Sequence, residues 1–206
     1  KTRLVVLCHP NNPTTTIFRR KNLEALAEFI VRNDLVLVCD QAFEDHIYDD
    51  IEFVAPATLP GMWERTLTVC SVSKGLGLSG FRVGYIYADD AVMDALYGAA
   101  VNVLGAAATI TSVGATAAIS DTRLLADIFA RLEQRRRVAH EILSTVPGVT
   151  MRLPESGILA WLDVSRLGTS AEVTEYLLRE ANVLVNPGAQ YGEHGEGYVR
   201  LVFAVF

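Results

Sequence analysis

Two short apolar runs with an amphipathic helix between them constrain this chain most. Arg3–Cys8 and Leu35–Cys39 are branched and apolar, the pattern of strands buried on both faces. Between them Leu23, Leu26, Ala27, Ile30 and Val31 recur at helical spacing. Strand–helix–strand order implies parallel pairing through a right-handed crossover, and so an α/β layered domain. Thr66–Cys70 and Arg82–Ala88 read as two further strands.

Ala95–Ser120 contains no charged residue and is flanked by Asp94 and Asp121. It is long enough to span a bilayer. Its Ala, Gly, Thr, Ser and Asn content and its acidic flanks point instead to a helix or helix pair buried in a large protein or a subunit interface. Thr122–Val146 reads as a long helix ended by Pro147-Gly148, with Arg135-Arg136-Arg137 as a solvated face. After it the pattern becomes mixed α+β. Strands are expected at Val149–Leu153, Ile158–Val164, Val183–Val185 and Tyr198–Phe203, with a helix at Ala171–Asn182. The expected division is a larger domain over residues 1–125 and a smaller one over 126–206, the boundary falling inside the long helix.

Composition narrows the function classes. The chain has 206 residues and a net charge of −6. With a pI near 5.2 and a mean hydropathy of +0.27, it is too apolar to be disordered and too acidic for a general nucleic-acid surface. Cys8, Cys39 and Cys70 form no CxxC pair and match no zinc spacing. They read as buried reduced thiols, so a cytoplasmic protein without membrane, nucleic-acid or metal partners is expected. His46, His140 and His194 are scattered, whereas His9 adjoins a strand-end loop and reads as either a turn residue or a site contact.

Gly75-x-Gly77-x-x-Gly80 matches the dinucleotide fingerprint formally, but it runs into a strand and lacks the acidic residue expected about 20 positions on. The same loop makes better sense around its lysine. Ser71-Val72-Ser73-Lys74 leaves a strand end, and Arg82 stands eight residues beyond Lys74. Hydroxyls, an amine and a guanidinium on one glycine-rich loop suit a phosphate and a nucleophilic amine. Asn11-Asn12-Pro13-Thr14 follows the first strand and Asp40 ends the second. Taken singly, these are a rigid turn and a helix cap.

The order strand–NNPT, strand–Asp, strand–SxSK–x7–R resembles the fold-type I, pyridoxal-phosphate (PLP)-dependent class I/II aminotransferase family across essentially the whole chain. The resemblance implies the aspartate aminotransferase fold, with a mainly parallel sheet in a large PLP-binding domain and a small α+β domain. It implies that Lys74 forms the Schiff base with the cofactor, that Asp40 bonds the pyridine nitrogen and Asn12 the ring O3′, and that Ser71, Ser73 and Arg82 hold the phosphate. Gly195-Glu196-Gly197-Tyr198-Val199-Arg200-Leu201 looks like the family's substrate-carboxylate segment, which gives that role to Arg200, after an Asn186-Pro187-Gly188 turn also typical of the family. A homodimer with sites at the subunit interface is implied as well. Against the family this chain corresponds to the C-terminal part, so a preceding polypeptide is expected to be needed for folding and activity.

Three positions depart from the family pattern. Phe43 stands where a tyrosine usually donates to O3′, Thr15 where a glycine usually follows Asn-Pro-Thr, and Phe81 where a tryptophan is common. Thr15 suggests a differently shaped loop. Phe43 keeps two reactions open: amino-group transfer, and β-elimination, replacement or cyclisation of an arginine-type amino acid, as in capreomycidine synthase-like enzymes. A PLP-sensing domain of a transcription regulator is the alternative of another class.

Overall fold

The structure, a computed structural model, describes residues 1–204. β1 (Leu4–Cys8) and β2 (Val36–Asp40) pair in parallel, Cys8 opposite Asp40, with α1 (Arg20–Arg32) crossing between them. β2 pairs in parallel with β3 (Thr66–Ser71), which runs directly into the short α2 (Val72–Gly75). β4 (Gly84–Tyr87) completes a sheet of order β1-β2-β3-β4, but it lies antiparallel to β3, with Ser71 opposite Gly84. A parallel return needs a crossover long enough to span the sheet. The β3–β4 connection carries only a four-residue helix and a single 3-10 turn, so the expected parallel order stops at β3.

α1 lays Leu23, Ala27 and Ile30 on Val5, Leu7, Leu37 and Cys39. Leu23 and Ile30 are fully buried and each contributes about 2 kcal/mol. The opposite face differs from expectation. Leu4, Val6 and Val36 are exposed, because no element among the described residues covers that side.

The charge-free stretch is a helix pair, as read: α3 (Asp90–Val103), capped by the Asp89 carboxylate on the Ala91 N–H, and α4 (Thr109–Ile119). Within this chain the pair is not buried. Val103 is 79 % exposed and Ile110 83 %. α5 (Thr122–Leu143) is capped by Asp121 and buries Leu132 and Arg136. The arginine run is therefore not a solvated face. Arg136 is fully buried, with ion pairs to Asp49 and Glu133 and its guanidinium 4.4 Å above the Tyr48 ring.

β5 (Thr150–Met151), β6 (Leu159–Asp163), β7 (Asn186–Pro187) and β8 (Tyr198–Val202) form a second, antiparallel sheet of order β5-β6-β8-β7. α6 (Ser170–Ala181) packs on it, started by a Thr169–Glu172 capping box and ended by Asn182 in the left-handed region. No strand forms at the expected Val183–Val185; β7 begins at Asn186, just past its end. Val185 is taken into the core, and Asn186 supplies the pairing opposite Arg200. Among the described residues no helix is long and apolar enough to cross a membrane.

Candidate active site

β1, β2 and β3 run the same way, so their carboxyl ends share one edge, where α/β sheets of this kind receive ligands. The turn after β1 places Asn12 there, β2 ends in Asp40, and β3 delivers Ser71, Ser73 and Lys74. Because β4 enters antiparallel, with Gly84 opposite Ser71, its leading residues start from the same edge, and Arg82 lies two residues before that pairing.

Ser71 caps α2, its Oγ accepting the Ser73 N–H at 3.2 Å. Arg82 sits in the left-handed region (φ 54) and donates from Nη1 to the Ser79 carbonyl at 2.8 Å. Among the described residues neither Lys74 nor Arg82 has an acidic partner. Ser73, Lys74, Gly77 and Ser79 line a cavity of about 350 Å3. Lys74 beside the Ser73 and Ser79 hydroxyls, with Arg131 and Arg135 also lining the cavity, makes it suited to a multiply charged anion. Asp40 is exposed and uses Oδ1 to accept the Ala42 N–H at 3.0 Å, leaving Oδ2 open to a further donor. An amine, an open carboxylate oxygen and an anion cradle on one edge fit pyridoxal phosphate.

Arg200 comes from the second sheet and reaches the first. Its Nη1 donates to Asn12 Oδ1 at 3.0 Å, its Nη2 donates to Asn186 Oδ1 at 2.8 Å, and its guanidinium lies 5.1 Å from the Tyr191 ring centre. Its Nε is buried without a partner. Two amides and an aromatic ring hold this guanidinium, and among the described residues no carboxylate neutralises it. A part-buried cation in that condition favours an incoming anion.

The remaining expected residues sort by burial. Phe43 is buried, and a Cβ added at Gly157 would come within 2.9 Å of its Cδ1, so the ring packs on the chain at Gly157. His9 is fully buried, stacked on Phe53 at 5.0 Å and accepting the Phe18 N–H on Nδ1, which makes it a turn residue of the core. Thr15 takes φ 62, the left-handed conformation glycine favours, so substitution has not removed that conformation from the turn. Sequence reasoning missed Asn186 and Tyr191 as holders of Arg200, although Asn186-Pro187-Gly188 was visible as a turn. A larger cavity of about 880 Å3 lies between α6 and the second sheet, lined mainly by aliphatic side chains, and contains none of these residues.

A partly parallel sheet bearing this lysine loop, with a small antiparallel sheet reaching across to it, is the architecture of PLP-dependent fold-type I proteins. The model of the aminotransferase class I and II family matches residues 1–206, and the chain belongs to that family, whose members use PLP. It is 31 % identical to an aspartate aminotransferase of Pyrococcus abyssi, over 99 % of this chain and 53 % of that protein. It is also 31 % identical to aromatic-amino-acid aminotransferase 2 of Thermococcus litoralis, over the same shares of each. An aromatic aminotransferase structure from Pyrococcus horikoshii superimposes with a TM-score of 0.91 at 30 % identity, covering 100 % of this chain and 56 % of that one. The chain spans about half the length of the curated relatives it matches.

Proposed function

We propose that this chain carries the catalytic lysine and the substrate-carboxylate arginine of a PLP-dependent aminotransferase, which moves the amino group of an α-amino acid to a 2-oxo acid. The observation that supports the reading is Arg200, held by Asn12 and Asn186 and, among the described residues, without an acidic partner, reaching the loop after β1 on the sheet whose next strands end in Asp40 and lead to Lys74. When bound, the cofactor supplies an electron sink for the bond broken at the substrate Cα. Lys74 Nζ would hold the cofactor and would be the group that takes and returns the substrate Cα proton.

Asp40 Oδ2 would keep the pyridine nitrogen protonated, because a carboxylate beside it favours the charged form. Ser71, Ser73 and Arg82 hold the phosphate. Arg200 occupies Asn12 Oδ1, which leaves the Asn12 Nδ2 hydrogens as the donors that would serve the ring O3′. Arg200 itself takes the substrate carboxylate through paired hydrogen bonds and thereby sets which Cα bond is broken. Phe43 adds no hydroxyl to this set, and the names of the relatives favour transfer over elimination.

The exposed apolar faces of α3 and α4 are assigned to a second copy of the chain, and the boundary between the larger and smaller domains to residues 125 and 126 inside α5. Light scattering on the holoenzyme should give twice the protomer mass; a monomer contradicts that assignment. Incubating the holoenzyme with an amino acid and a 2-oxo acid should exchange the amino group between them. Turnover of a β-hydroxy amino acid without any exchange would overturn the aminotransferase reading.

A further inference from the structure

Thr15 stands in a conformation its side chain opposes. At φ 62 a β-branched residue crowds its own backbone, and such a residue persists only where its surroundings hold it. Thr15 is buried and lies within a chain reversal closed by hydrogen bonds from Thr15 N–H to Asn11 O (2.9 Å) and from Asn11 N–H to Thr16 O (3.0 Å). Asn12 lies inside that closed turn. The buried Ser156 hydroxyl donates to the Thr15 carbonyl at 2.9 Å from 141 residues away.

Ser156 is itself firmly mounted. On one side of it Glu155 accepts the Ile17 N–H at 2.8 Å and pairs with Arg19, while the Glu155 carbonyl accepts the Tyr48 N–H at 3.0 Å. On the other side, Gly157 N–H donates to the His46 carbonyl at 2.9 Å, and its own carbonyl accepts the Tyr48 hydroxyl at 2.7 Å. Arg136 Nε donates to the Pro154 carbonyl at 2.7 Å. The same segment continues into β6, where Trp161 pairs with Arg200. One short stretch therefore anchors both the turn that presents Asn12 and the sheet that presents Arg200.

We propose that Ser156 is a positioning residue for substrate-carboxylate binding: its hydroxyl latches the left-handed Thr15 and so keeps Asn12 under Arg200. The proposal rests on the reading of Arg200 given above. Without the latch Thr15 relaxes toward φ < 0, Asn12 shifts, and Arg200 loses one of its two amide supports. Because glycine accepts φ > 0 without strain, the latch becomes dispensable when Thr15 is replaced by glycine.

The test is steady-state kinetics and absorbance on four holoenzymes: wild type, Ser156→Ala, Thr15→Gly and the double variant. Ser156→Ala should raise the amino-acid KM roughly tenfold, about the worth of one hydrogen bond, with a much smaller change in kcat and the visible cofactor band intact. The double variant should return KM to within about twofold of Thr15→Gly alone, a non-additivity expected only if the two residues act through each other. An unchanged KM in Ser156→Ala, equal KM losses with and without Thr15, or loss of the cofactor band in Ser156→Ala would each overturn the latch. Arg200→Lys separates the two readings: if it leaves KM unchanged the Arg200 assignment has failed, and if it raises KM while Ser156→Ala does not, only the latch has.

Discussion

Arg136 and Arg200 both bring a guanidinium into the protein, yet they end in opposite electrostatic states. Arg136 is neutralised by Asp49 and Glu133, whereas among the described residues Arg200 has only amides and a tyrosine ring. Replacing Arg136 with Met leaves Asp49 and Glu133 to Arg137 but strips the buried Pro154 carbonyl of its donor, and should cost about 1–3 kcal/mol in chemical denaturation. Arg200→Lys keeps the charge but loses the planar fork. It should leave folding and cofactor absorbance nearly unchanged while raising amino-acid KM by roughly 10- to 100-fold. Glu155 shows a third balance. Burial works against its charge, but the hydrogen bonds from Arg19 and the Ile17 N–H prevail and lower its pKa. A carboxylate held lower in the folded state stabilises above its unfolded pKa and loses that contribution as pH falls through the folded value, so Glu155→Gln should flatten the acid limb of a stability profile below about pH 4.5. Lys74, Asp40, Ser71 and Arg82 were legible in the sequence because they lie at strand ends in a fixed local order. Arg136 was not, since nothing within its run of three arginines distinguishes it, and Asp49 lies 87 residues away.

At the scale of elements, the short β3–β4 connection decides more than its length suggests. By forcing β4 to return antiparallel, it puts Arg82 on the edge that already carries Ser71 and Lys74. The strands and helices themselves were largely readable from periodicity. The direction of β4 was not, because periodicity reports burial and says nothing of polarity. The displaced β7 has a similar cause: Val183–Val185 looks like a strand by composition, while pairing opposite Arg200 falls to Asn186. That turn leads into Gly188, where an added Cβ would strike the backbone carbonyls of Gly195 and Tyr198. Gly188→Ala should cost roughly 3 kcal/mol in thermal or denaturant unfolding, at the upper end of overpacking, and should weaken substrate binding through Asn186 and Tyr191. The turn after β2 carries its own pH sensitivity. Burial pushes the His46 imidazole down to about 4, from an ordinary value of 6.5. Between those two values the unfolded chain binds more protons than the folded one, so stability is complete above pH 6.5 and declines toward pH 4, by up to ~3 kcal/mol. Replacing His46 with Gln should remove that decline, as read by denaturation midpoints across the range.

In the whole molecule, two sheets with separate apolar cores meet where Asn12 and Arg200 join hands and where the Pro154–Gly157 segment grips the turns after β1 and β2. The sequence pattern foresaw an α/β sheet and a smaller α+β unit, but it placed the first-sheet strands in full burial, and one face of that sheet is open here. Alternation and apolarity report what a strand is suited to meet, and the covering element is not among the described residues. The same holds for α3 and α4, whose apolar composition was legible while their exposure in this chain was not. The central claim is that Lys74 holds PLP on the edge formed by β1, β2 and β3. It is tested most directly by the absorbance spectrum of the holoenzyme before and after borohydride, with peptide mapping of the reduced protein. The account predicts a visible band that borohydride abolishes, a cofactor adduct on the Lys74 peptide, and neither in Lys74→Ala. A wild-type protein with no such band after incubation with PLP, or with its adduct on another lysine, would contradict it.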